Sequence, residues 1–131
     1  MDDLTAFVKA RLDEDEAIAQ AAASEAGPDW TWDRETRDGY LRTPGGTIMA
    51  DALNVEDEQF RPHVARHDPA RVLREVAAKR KRLAAYTAAR AAADRYDDQY
   101  MAGVASGLAD AIKDDASAWN DHPDYDQKWS T

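Results

Sequence analysis

Asp68-Pro69-Ala70-Arg71-Val72-Leu73-Arg74-Glu75-Val76-Ala77-Ala78-Lys79-Arg80-Lys81-Arg82-Leu83 is the stretch on which the fold turns. Asp68 supplies an N-cap acceptor, and Pro69 occupies the first helical position, where a missing N–H costs least. The helix that starts there is predicted to reach at least Ala92. On a helical wheel its apolar stripe is Val72, Val76, Leu83 and Tyr86, with Leu73, Ala77 and Ala84 at one shoulder. Lys79 and Arg90 fall inside that stripe and Arg80 beside it, whereas Arg71, Arg74, Lys81 and Arg82 point outward. The basic charge therefore wraps the helix.

Around this run the charge is segregated. Residues 61–95 hold 10 Lys/Arg against 3 Asp/Glu, residues 1–60 hold 5 against 15, and residues 96–131 hold 2 against 8, for a net charge of −9. Packing the acidic helices on the basic one is expected to pair Asp15 and Asp115 with Lys79, Arg80 and Arg90, while Arg11 can pair with Asp15 one turn away or with a charge across the core. Such partly buried pairs fix register more surely than they add net stability.

On the N-terminal side, Leu4, Phe7, Val8, Leu12, Ile18, Ala19 and Ala22 recur at three- and four-residue steps and predict one amphipathic helix over 1–26. Asp2 or Asp3 can cap it, Gly27-Pro28 stops it, and Arg11 and Asp15 project near its apolar stripe. Residues 30–51 change character. Trp30-Thr31-Trp32, Tyr40-Leu41-Arg42-Thr43 and Thr47-Ile48-Met49 are short β-prone pieces between turn signals and predict a small antiparallel β-hairpin or three-stranded meander. Trp30 or Trp32 is its natural anchor.

Helices are expected over 56–119: a short one from Glu56 to Arg66, the Pro69 helix, and a last one carrying Met101, Val104, Leu108, Ile112 and Trp119, with Asp115 in its stripe. Asp94 to Asp98 is read as a turn made without Gly or Pro. The aromatic tail over 120–131 is expected to dock through Tyr125 and Trp129. The expected fold is α+β, mostly α, in a single domain over 1–131, consistent with a chain of 131 residues.

The opening Met1-Asp2-Asp3-Leu4…Phe7…Ala10-Arg11-Leu12-Asp13-Glu14-Asp15-Glu16, the central His63-Val64-Ala65-Arg66-His67-Asp68-Pro69 running on to Arg80, and the closing Asp121-His122-Pro123-Asp124-Tyr125…Trp129 together resemble a family of small actinobacterial and actinophage proteins catalogued as domain of unknown function 6221. The resemblance implies no established activity. Many relatives carry a cysteine-bearing insert, suggestive of zinc, between the central helix and the closing motif. This chain has no cysteine, so that site is not carried over.

Three chemistries compete with solvated or structural readings of the same residues. His63 and His67, spaced i, i+4, with His122 as a third ligand, are the metal candidates, yet Pro62 and the cap at Asp68 interrupt the helix they would share. Asp13-Glu14-Asp15-Glu16 with Asp94, Asp97 and Asp98 invites comparison with Mg-dependent all-helical nucleotide hydrolases, although consecutive acids diverge around a helix. Arg71, Arg74, Lys81 and Arg82 form a partial basic patch for a nucleic acid or protein partner. No catalytic residue and no cofactor is expected.

Gly103-x-x-x-Gly107 permits close helix approach but is a weak cue outside a membrane, whereas the flat alanine-rich surface from Ala84 to Ala93 points to a homodimer. The leading expectation is a noncatalytic phage- or prophage-type accessory protein that binds another protein or itself. A nucleic-acid-associated regulator is the runner-up, and the nucleotide hydrolase comes third. An acidic N-terminus, no apolar run of membrane-spanning length and no cysteine predict a cytoplasmic protein without a membrane partner.

Overall fold

The computed structural model describes residues 2–32, 41–42 and 60–130. Helix dominates them: α1 (Asp2–Ala26), α2 (Phe60–Arg66), α3 (Pro69–Tyr96) and α4 (Gln99–Ala116), followed by short 3-10 turns at Ser117–Trp119 and Gln127–Trp129. The expected α+β class does not hold. Among the described residues, extended pairing is confined to Thr31 opposite Arg42 and Trp32 opposite Leu41. A contact of that length is no hairpin or meander layer, because a sheet becomes stable only when several strands present a common apolar face. Among the described residues the buried apolar side chains belong to the helices and the C-terminal tail. Tyr40, Thr43, Thr47, Ile48 and Met49, and the 56–59 portion of the expected short helix, lie outside the described residues.

The chain divides into two compact units. The first comprises Met1–Glu14 and Val76–Thr131. Its centre is formed by Leu4, Val8 and Leu12 of α1 and Ile112 of α4, none more than 1% exposed. Asp2 and Asp3 lie in the first turn of α1, where carboxylates suit the positive end of the helix dipole. Val76, Tyr86, Ala89 and Ala93 of α3 and Ala105 and Ala116 of α4 are also buried, and the small alanine side chains let helix backbones approach closely.

α3 and α4 form an antiparallel hairpin. Asp97 takes a left-handed conformation, φ 48°, and the amide of Asp98 donates to the carbonyl of Ala93 at 3.2 Å. These are the marks of a Schellman cap with aspartate where glycine is usual. Aspartate tolerates that conformation better than most residues, which is how the turn forms without a breaker. Asp98 then caps α4, accepting from the amides of Tyr100 at 2.9 Å and Met101 at 3.2 Å. The tail returns through successive turns and buries Tyr125. Phe7 meets Tyr125 edge-on at 5.9 Å and Trp129 at 5.1 Å between ring centroids, and the Tyr125 hydroxyl pairs with Ser130 Oγ at 3.0 Å.

The second unit is Asp15–Glu75. Gly27 ends α1 with φ 78°, its amide donating to Ala23 at 2.8 Å, and Pro28 follows where a helix cannot continue. Asp68 organises the start of α3. One carboxylate oxygen accepts from the Arg71 amide at 2.9 Å, the other from the Trp30 amide at 3.1 Å. The Ala70 amide donates to the Pro28 carbonyl at 2.9 Å. The loop after α1 is thereby tied to the first turn of α3.

Candidate functional site

Within the second unit, a groove of about 350 Å³ opens between the last turns of α1 and the first turns of α3. Its floor is apolar: Ile18, Ala19 and Ala22 come from α1, Pro69 and Val72 from α3, and Trp30 stands between them. The three-residue steps from Pro69 to Val72 to Glu75 keep one face of α3 on the groove. Trp30 is fixed at both ends, by its own amide on Asp68 and by its indole N–H on the Gly27 carbonyl at 2.9 Å. Asp15, Glu75 and His67 add polar groups to the lining. Glu75 accepts from Arg71 Nε at 2.7 Å, while His67 Nδ1 lies 2.8 Å from the His63 carbonyl and donates to it. Ile18 remains 69% exposed. It continues the apolar stripe of α1 in sequence but projects into water over the groove.

The other candidate residues disperse. His63 and His67 stack on each other, with ring centroids 4.4 Å apart, in the second unit, and His122 belongs to the first. Among the described residues no group of three or more His, Asp or Glu could hold a metal ion. His122 instead lies against Arg11, whose Nη1 is 2.7 Å from its Nε2 and 2.9 Å from its Nδ1, and its Nδ1 accepts from the Asp124 amide at 3.1 Å. Arg11 is itself buried, with Glu14 at 2.7 Å and the Phe7 ring beneath its guanidinium.

The carboxylates that invited a hydrolase reading are engaged one by one. Asp13 holds Lys9 at 2.9 Å and Arg80 at 2.8 Å, Asp94 holds Arg90 at 2.6 Å, and Asp98 caps α4.

The basic helix sorts differently from the wheel. Lys79 sits 4.7 Å over the Trp119 ring, Arg80 reaches Asp13 of α1, and Arg90 pairs within its own helix. Arg82, expected to face outward, bonds Asp115 across the α3–α4 hairpin. Arg71 is taken up by Glu75. Arg74 and Lys81 are exposed. Two separate cations do not make the continuous track along which phosphates are neutralised. Asp15 is half-buried and interacts. Trp119 and Trp129 are half-buried and Tyr125 buried, whereas the Trp32 side chain lies outside the described residues.

Exposed ion pairs make a measurable acid signature. The hydrogen bond from Lys9, then that from Arg80, holds the Asp13 carboxyl below its ordinary value of 3.8. Asp94 and Asp126 are lowered likewise by Arg90 and Lys128. A depressed folded-state value means the contribution to stability is present above the unfolded-state value and lost as pH falls through the folded one. The urea midpoint is therefore expected to fall as pH drops from about 5 to about 2, and Asp13→Asn to flatten that slope. A slope identical in the variant would show that Asp13 does not contribute.

A family model described as a family of unknown function, DUF6221, matches residues 1–131. No curated protein and no solved structure matches the chain. Among the described residues no helix is long and apolar enough to cross a membrane.

Proposed function

The chain belongs to the DUF6221 family of unknown function, and we propose that it is a noncatalytic accessory protein, of phage or prophage type, that works in the cytoplasm by binding another protein and by self-association. The observation that carries the binding reading is the groove with Ile18 left 69% exposed beside it. An apolar floor with a few polar groups at its edge is the usual form of a recognition site. Asp15 and Glu75 place carboxylates at its edge, Glu75 already bonded to Arg71. A net charge of −9 favours basic partners by long-range attraction. The phage or prophage lineage rests on the central and closing motifs, and the cytoplasmic setting on the lack of cysteine.

Affinity capture from an actinobacterial lysate, run with and without nuclease, tests the reading. A nuclease-resistant protein is expected to co-purify with the natural chain and to be lost with Ile18→Lys, a substitution that keeps a good helix former at an exposed site. Capture that disappears with nuclease, or that survives Ile18→Lys, overturns it.

A further inference from the structure

We propose that the groove between α1 and α3 receives a tryptophan side chain of the protein partner, its ring against Trp30 and Ile18 and its indole N–H donated to His67. This inference rests on the partner-binding reading above and names the residue that the partner presents.

The polar lining decides the chemistry. His67 Nδ1 donates to the His63 carbonyl at 2.8 Å, so in the neutral ring the other nitrogen, Nε2, carries a lone pair and accepts. Asp15 and Glu75 add carboxylate oxygens, which only accept. The donors of Trp30 are already spent, its indole N–H on the Gly27 carbonyl and its amide on Asp68. What the lining offers a ligand is therefore acceptors. An anion finds no donor among these side chains, and the occupant must bring its own.

Tryptophan, arginine and lysine are the side chains that donate without accepting. The two cations would leave water for a floor made of Ile18, Ala19, Ala22, Pro69 and Val72, at a cost that calls for an opposing charge. Glu75 is already bonded to Arg71 at 2.7 Å, and Asp15 also interacts within the chain. Indole needs no opposing charge. Size agrees as well: about 350 Å³ lies at the small end of the roughly 300–1,000 Å³ of ligand clefts, room for one bicyclic ring. Trp30 is half-buried and tied at two points, so it forms a preset aromatic wall that costs little to order on binding. Ile18, 69% exposed, gains cover from the same ring.

Nuclear magnetic resonance of the isotope-labelled full chain, titrated with N-acetyl-tryptophanamide, tests this. Saturable shifts are expected at Trp30, Ile18 and His67, with a Kd on the order of 1 mM. The same compound methylated on the indole nitrogen lacks the donor and is expected to bind about fivefold or more weakly. His67→Phe, which keeps an aromatic ring and removes the acceptor, should erase that difference, and the methylated compound carries the test on the natural protein should this variant fail to fold. N-acetyl-argininamide is expected to leave the groove unshifted. Equal affinity for the two indoles, tighter binding of the arginine compound, or a groove silent to all three overturns this inference, while capture lost with Ile18→Lys would leave the partner reading standing on another anchor. Indole binding without any Ile18-dependent capture overturns the partner reading, and with it the partner as the source of the tryptophan.

Discussion

Leu12→Ala is expected to lower the unfolding free energy by about 3 kcal/mol, whereas Ile18→Ala, two turns further along α1, should change it by no more than about 0.5 kcal/mol. The two residues belong to the same apolar repeat. Leu12 is 0% exposed, beside Val8 and in the core that also holds Ile112, both equally inaccessible; Ile18 is 69% exposed. Truncating Leu12 removes methyl groups from an apolar environment and leaves a cavity that a close-packed helical core only partly closes. Truncating Ile18 removes atoms that water already reaches. Urea denaturation with an unchanged m-value measures both. Equal losses at the two sites would mean that the α1 stripe is buried along its whole length. Against a typical domain stability of about 5–15 kcal/mol, the Leu12 effect is large.

Asp68→Ala should cost about 2 kcal/mol, the sum of two losses that one carboxylate makes together. The first is the N-cap of α3, which leaves the Arg71 amide without its acceptor at 2.9 Å. The second is the tie to the Trp30 amide at 3.1 Å, which holds the wall of the groove. Asp68→Asn keeps an acceptor for the helix and is expected to recover most of the stability, since asparagine caps as well as aspartate. Amide hydrogen exchange locates the effect: faster exchange at both Arg71 and Trp30 in the alanine variant is the expected result. Acceleration at Arg71 alone would show that Trp30 is held by its indole bond to Gly27 and not by Asp68.

Much of the helical framework was legible because its signals are local. The cap and proline at Asp68-Pro69, the stop at Gly27-Pro28 and the spacing of Leu4, Phe7, Val8 and Leu12 each act within a turn or two of the chain. The α3–α4 turn was legible only by elimination, because aspartate at a left-handed position carries a far weaker signal than glycine. The β layer was misread for the complementary reason. Short β-prone pieces and turn residues describe what a segment permits, while a sheet depends on partners elsewhere, and here helices cover the core.

The basic helix shows where a wheel fails. It places Cβ atoms, but Arg82 has a long flexible stem, so an outward direction at the backbone still lets the guanidinium curl to Asp115 on the neighbouring helix. Conversely, Arg90 starts near the stripe and ends on Asp94 of its own helix. The groove left almost no trace in the sequence. Its residues come from two helices and a loop, and only Ile18, apolar yet outside the tight spacing of the first turns of α1, could have drawn attention. Likewise Arg11 was visible as a charge in an apolar stripe, while its partner His122 lies 111 residues away.

That distance sets an order of assembly. The α3–α4 hairpin closes over a turn of a few residues, and such local contacts form early at little entropic cost. The joining of Phe7 to Tyr125 and Trp129, and of Arg11 to His122, closes almost the entire chain into one loop. The first helix and the tail therefore lock together as a late clasp on a scaffold already made, and substitutions in that aromatic cluster should act mainly by speeding the opening of the fold, leaving its rate of formation nearly untouched.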